Sequence, residues 1–179
     1  MINSKETTVD HLDRFIFDNL PIRGERVLLE HTWREHLVRR NYPKNVEKLL
    51  GDLIATTALL GATIKIEGRL TVQIEGNGPV SLLVVQVNHL HGLRATAKVD
   101  GDVTGLTSLK ELCGEGRVVI TIDAPHFKQP YQGVISLTEE TIAKVIEYYF
   151  ETSEQLPTRL FLATNDNAAA GLMIQRLPG

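Results

Sequence analysis

Ser153, Glu154 and Arg159 stand close together in the segment EYYFETSEQLPTRLFLA, residues 147–163. A serine near a carboxylate and a cation suggests hydrolytic chemistry. A nucleophilic serine needs a base within hydrogen-bond reach, most often a histidine oriented by a carboxylate. The nearest histidine in sequence is His126, on a different segment, and no Gly-x-Ser-x-Gly elbow occurs in the chain. The other reading is a joint, in which polar side chains serve carbonyls that a helix end leaves without partners. The spacing favours the joint.

His89 and His91, in NHLH, offer a second possibility. On a strand, alternate residues share a face, so both imidazoles would be presented together as metal ligands. No third ligand lies nearby in sequence, and a polar turn between strands is the plainer reading. His31 and His36 do not share a helix face. In CGEGRVV the glycines lead into a strand, whereas a phosphate loop needs them before a helix N-terminus. Cys113 accordingly reads as a small buried residue at a turn more readily than as a reactive thiol. EGNGP has nothing helical after it and reads as a hairpin turn, not a nucleotide site. APHFKQPYQG carries Phe127 and Tyr131 between two prolines. It is the best candidate for an exposed apolar loop that meets a partner, unless both rings fold back onto a sheet. No catalytic constellation emerges.

The bulk properties narrow the classes further. With 179 residues, 42% hydrophobic and 23% charged, the chain can bury one sizeable core and is not broadly disordered. Its 19 basic and 22 acidic residues give a net charge of −3, which offers no broad basic surface for nucleic acid. Apolar runs such as SLLVV are too short to span a bilayer, so no membrane partner is expected. MINSKETTVDHLDRF lacks the apolar centre of a secretory signal. The single cysteine cannot form an internal disulfide, which fits a reducing cytoplasm, and cannot supply a multi-cysteine zinc site.

Helical and strand patterns supply the elements. TWRE predicts a capping box that starts a helix at Thr32, with Arg39 and Arg40 in its last turn. Pro43 is placed to start a second helix, whose stripe is Val46, Leu49, Leu50, Leu53, Thr57 and Leu60. Its half LIATTALLGA is apolar nearly all round and should be central. Thr138, followed by Glu139 and Glu140, is the expected N-cap of a third helix with the stripe Ile142, Val145, Ile146, Tyr149 and Phe150. Tyr148 falls beside that stripe, and Leu156, before Pro157, should be extended. RLTVQIEGNGPVSLLVVQVN reads as a hairpin in which Gly76, Asn77 and Gly78 supply turn conformations, continued by LRATAKVDG. GRVVITID pairs with YQGVISL, and RLFLAT with GLMIQRL across NDNAAA. The fold class expected is α+β, with antiparallel sheets built from hairpins and packed with about three helices. The segment around Val9, Leu12, Phe15 and Ile16 fits a helix, while RFIF has strand composition, and periodicity leaves the two open.

Set in order, these pieces resemble one family. In YYFETSEQLPTRLF, the residues Tyr149, Phe150, Ser153, Glu154, Gln155 and Pro157 are similar to the signature of the redox-regulated bacterial holdase, the 33 kDa heat shock protein family. There a helix bearing tyrosine and phenylalanine runs into Ser-Glu-Gln, a proline and a strand. The Gly76–Pro79 turn, the buried helix LLGDLIATTALLGATIK, the strands GEGRVVITI and YQGVISL, and Ala169, Ala170 and Gly171 follow in the family's order. The likeness covers nearly the whole chain.

The family also carries a flexible linker and a C-terminal zinc domain with cysteines spaced Cys-x-Cys and Cys-x-x-Cys, and this chain has neither. The resemblance therefore implies that residues 1–179 are a single N-terminal core domain. It implies no cofactor in this chain, with zinc expected in the C-terminal domain. It implies an ATP-independent chaperone of the bacterial cytoplasm, not an enzyme, which binds unfolding proteins and prevents their aggregation under oxidative and heat stress. In the family, oxidation releases the zinc, unfolds the C-terminal region, promotes dimerisation and switches client binding on. For this chain it implies a homodimer that can exchange elements between protomers. Tyr148, Phe150, Ser153, Glu154, Gln155 and Pro157 are then the candidate interface or hinge, and Phe127 and Tyr131 the candidate client-contact loop. It also makes RFIF a strand. Two rival readings are an enzyme that handles a small molecule at a sheet face through His89 and His91, and a purely structural dimerisation module.

Overall fold

A computed structural model describes residues 8–64 and 67–178. The chain runs β1 (His11–Ile16), β2 (Ile22–Leu29), α1 (His31–Arg39), α2 (Lys44–Ile64), β3 (Arg69–Gly76), β4 (Val80–Asn88) and β5 (Leu93–Val99). It continues with α3 (Leu109–Cys113), β6 (Gly116–Asp123), β7 (Tyr131–Ser136), α4 (Ile142–Thr152), β8 (Thr158–Thr164) and β9 (Ala169–Arg176). Two antiparallel sheets result, β1-β2-β9-β8 and β5-β4-β3-β6-β7. The RFIF segment lies in and just after β1, and Asn19, at φ 63°, helps the chain turn back into β2.

Alternation decides which face of the five-stranded sheet turns inward. Leu93, Val87, Leu70, Ile122 and Tyr131 form one cross-strand row, and Ala95, Val85, Val72, Ile120 and Gly133 the next. Between these rows, Arg94, Gln86, Thr71, Thr121 and Gln132 line up on the opposite face. Helix α2 is buried on almost every side, with Leu50, Leu53, Ile54, Leu59 and Leu60 sealed from solvent. Each such side chain contributes about 1.5–3 kcal/mol by leaving water, so α2 anchors the core.

Three expectations about local structure are corrected. The α1 start has no Thr32 capping box: Glu30 is the N-cap and makes no side-chain cap. Asp10 instead accepts the Thr32 backbone N–H at 3.2 Å and its hydroxyl, while Glu35 pairs with Arg39 at 3.1 Å. A carboxylate brought in by the N-terminal segment is the stronger acceptor for an exposed helix N-terminus, and it outcompetes the local hydroxyl. Replacing Asp10 with alanine should therefore cost about 1 kcal/mol in urea denaturation, whereas Glu35→Ala should cost a few tenths.

The last helix is capped by Thr141, which accepts from the Lys144 N–H at 3.2 Å, not by Thr138. Residues before Thr141 are held elsewhere, since the Glu140 carbonyl takes the Leu109 N–H at 3.1 Å. Beside the three helices expected, the described residues hold one further short helix, α3, closed by a true capping box between Ser108 and Glu111. At the β3–β4 turn, the glycines serve close packing and not unusual dihedrals. A Cβ on Gly76 would lie 1.9 Å from the Cys113 carbonyl oxygen, and neither Gly76 nor Gly78 has a positive φ. Bonds from Gly78 N–H to Cys113 and from Asn77 N–H to Glu115, at 2.8 and 3.0 Å, clip the end of α3 onto this turn.

Buried Glu147 ties α4 to β8, accepting the Leu160 N–H at 2.9 Å and the Lys144 ammonium at 2.8 Å. Burial, the largest single influence, pushes its carboxyl up, but the two hydrogen bonds together with the positive charges of Lys144 and Arg159 outweigh it and hold the carboxyl below the usual 4.5. A depressed folded value means stabilisation that is complete above the unfolded value and lost as pH falls through the folded one. Glu147→Gln should flatten the acid limb of a stability profile measured by denaturant melts from about pH 3 to about pH 7.

Candidate functional site

The four-stranded sheet has one face on the core and one face open. RLFLA and GLMI are apolar at successive positions, so β8 and β9 are apolar on both sides. Leu160, Leu162 and Met173 point inward with Val27 and Leu29. Their neighbours Phe161, Leu172 and Ile174 point outward and share that face with Ile22, Leu28 and Ala170. On β1, the Phe15 ring lies over Gly24, where a Cβ would meet it at 2.2 Å, so the glycine makes room for an aromatic on the outer face. Phe161 is 59% exposed, and a shallow depression of about 540 Å³ opens between it, His11, Arg26, Leu28, Ala163 and Leu172. At the β1–β2 hairpin tip, Phe17 lies edge-on to Phe15 with centroids 5.8 Å apart, and Leu20 is exposed beyond it. Charges cross this face as well: Arg26, in the cross-strand row of Leu172 and Phe161, is paired with Asp13 at 2.6 Å, Arg159 stands beside Phe161 on β8, and Arg176 ends β9. A largely apolar open face crossed by a neutralised ion pair is a candidate interaction surface.

A second concavity, about 440 Å³, lies where the two sheets meet beside the joint. Here the structure brings Tyr131 together with Tyr149, Phe150, Glu154, Leu156 and Ile122. The Tyr149 hydroxyl donates to Glu154 at 2.8 Å and lies 3.4 Å from the Tyr131 hydroxyl. Burial first, then Tyr131 and Glu154, pushes the Tyr149 phenol well above its ordinary value, so it stays a donor. Phe150 is buried within the chain's own core, while Tyr148, Ser153, Gln155 and Pro157 face solvent. The joint turns with Gln155 at φ 53°, a region that favours glycine, and closes by Leu156 N–H to the Phe150 carbonyl at 2.9 Å. Phe127 is exposed against His126 in the β6–β7 connection and does not line the groove.

The residues first singled out for chemistry do not converge. Glu154 is engaged by Tyr149, and Arg159 reaches toward Glu147 at 4.0 Å. His89 and His91 sit in the exposed β4–β5 turn, not on one strand face, and the Asn88 side chain accepts the Leu90 and Gly92 N–H groups there. Cys113 is sealed in the core, and burial pushes its thiol up to about 12. Among the described residues, no three histidine, cysteine or acidic side chains are grouped to hold a metal. The open sheet face was the feature sequence reasoning missed, although the double-sided apolarity of β8 and β9 could have signalled it.

The comparisons with known proteins agree with the architecture. Residues 10–179 match the family described as Hsp33 protein. The 33 kDa chaperonin of Shewanella loihica is 46% identical over 170 residues, covering 95% of this chain and 59% of that protein. The 33 kDa chaperonin of Pectobacterium atrosepticum is 44% identical over 173 residues, covering 94% and 60%. A crystal structure of the 33 kDa chaperonin (heat shock protein 33 homologue) from Thermotoga maritima superposes with a TM-score of 0.81 at 23% identity, over 93% of this chain and 60% of that one. At that identity the likeness is one of fold. The chain spans about three-fifths of the length of these relatives.

Proposed function

Because the chain belongs to the Hsp33 family, we propose that it is the core of an ATP-independent holdase and that it holds unfolding proteins on the open face of its four-stranded sheet. The observation that carries this reading is the set of outward apolar side chains Phe15, Leu28, Phe161, Leu172 and Ile174, spread over three neighbouring cross-strand rows and interrupted by the Arg26–Asp13 pair. An unfolding chain presents apolar side chains in no fixed order, and an area-driven, non-directional interaction suits such a client. Covering about 300 Å² of apolar area is worth roughly 7 kcal/mol gross at about 25 cal/mol/Å². Lost freedom on association offsets much of this, so clients are held and then released without nucleotide.

Redox control, in this reading, does not use Cys113, whose buried and protonated thiol is a poor target for oxidants. It is assigned, with the zinc it releases, to family segments beyond this core, and the protein works in the bacterial cytoplasm. Homodimerisation with exchange at the joint is the companion reading, supported by the solvent-facing Ser153 and Pro157 around the strained Gln155. The test is light scattering of a denatured protein diluted into reducing buffer without ATP, with and without this chain, whose own mass is read by size exclusion with light scattering. Suppressed aggregation is expected. A folded chain that leaves aggregation unchanged would refute client binding by the core.

A further inference from the structure

Away from the sheet face, α1 and the edge strand β5 enclose a cavity of about 460 Å³ floored by Ile54. Its walls carry Arg39, Arg40, Arg94, His31 and His36, with Glu35 as the one acidic group. Glu35 is spent on Arg39 at 3.1 Å, while Arg40 and Arg94 make no ion pair among the described residues. In a chain of net charge −3, this is a local concentration of unneutralised cations.

The His36 ring is held in place on both sides. It stacks between Trp33 and Tyr42, with centroids 5.8 and 6.2 Å away. Those rings are themselves anchored, since Trp33 Nε1 donates to the Asn165 carbonyl at 2.7 Å and the Tyr42 hydroxyl accepts the Ala97 N–H at 3.1 Å. Yet His36 Nε2 is buried and has no hydrogen-bond partner among the described residues. A fixed polar atom buried without a partner is costly, and a protein keeps few of them. Backbone geometry adds a donor. Ala97 directs its N–H away from β4 to Tyr42, so Ala95, two residues earlier on the edge strand, directs its own to the same side, along the cavity.

We propose that this cavity binds a phosphate-bearing small molecule through its phosphate group. Arg40 and Arg94 supply planar forks suited to phosphate oxygens, His36 supplies a positioned imidazole, and Ala95 supplies a neutral amide. This set of donors from several directions suits a tetrahedral phosphate better than a planar carboxylate. Burial, and then Arg40, lower the His36 pKa, with Glu47 opposing them. A bound anion would reverse that balance and favour the imidazolium. The volume is in the range of small-ligand pockets.

The test is calorimetric and NMR titration of the chain with pyrophosphate at constant ionic strength, near about pH 6, where imidazole titrates. Saturable binding that raises the His36 pKa is expected. Arg40→Gln and Arg94→Gln should each weaken it about tenfold, while Lys110→Gln, on α3, should leave it unchanged. Thermal melts confirm that the variants are folded. The proposal is overturned if pyrophosphate shows no saturable binding, if binding survives both arginine substitutions, or if citrate binds as tightly as pyrophosphate.

Discussion

Phe161→Glu is expected to abolish most client holding while leaving the fold intact. Phe161 lies on the outward face of edge strand β8 and is 59% exposed, so the folded chain loses little packing, and stability should change by less than about 1 kcal/mol. The cost falls on the complex. A client loses the burial of one aromatic ring, worth about 1.5–3 kcal/mol, and must also desolvate a carboxylate on the face it covers. Client affinity should drop roughly tenfold to hundredfold, seen as aggregation that resumes in the light-scattering assay. Val134→Glu is the matched control. Val134 is also 59% exposed, but it lies on the outer face of the five-stranded sheet. Equal loss in both variants would mean general surface stickiness, not a site. Full activity in Phe161→Glu would rule out the four-stranded sheet face.

Gly76→Ala should be among the most damaging small substitutions for stability. The added methyl would sit 1.9 Å from a backbone oxygen of Cys113, which cannot swing aside as a side chain can. Relief requires breaking the Gly78–Cys113 and Asn77–Glu115 bonds that clip α3 onto the β3–β4 turn. A loss of roughly 3 kcal/mol is expected, and a fall in Tm of about 10 °C. Gly105→Ala provides the comparison. Its φ is +75°, and an added methyl would meet nothing within 4 Å, so only the left-handed penalty of about 1 kcal/mol applies. If differential scanning calorimetry finds the two variants equally unstable, close backbone packing at the turn is not what Gly76 supplies.

Much of the candidate site was legible only in part. Tyr131 and Tyr149 were each visible as aromatics on defined elements, but nothing local says that the end of β7 meets the end of α4. Their hydroxyls come within 3.4 Å because α4 crosses back over the five-stranded sheet. Thr32 shows the same limit in miniature. TWRE is a sound capping box by local rules, yet Asp10, 22 residues away, takes its place. Conversely, the Ser108–Glu111 box is present in SLKE, but a helix of five residues has no periodic stripe to draw attention to it. His89 and His91 looked like a strand pair only because the end of β4 is set by Asn88, whose side chain gathers the turn's amides.

What the sequence determined by itself was the set of elements that obey a short-range period. The alternation in β3, β4 and β6, the all-round apolar α2 and the breaks at Gly76–Pro79 and Leu156–Pro157 follow from side-chain spacing and backbone sterics. Such forces act within a few residues and leave a readable pattern. The tertiary structure alone decided which apolar face stays uncovered. Phe161 and Leu160 are neighbours of similar hydrophobicity, and one is buried while the other faces water. That difference arises because α2 is long enough to cover only the inner faces of two sheets. The outer face of the four-stranded sheet is left open by where the rest of the chain packs, a property of the whole fold and not of any segment.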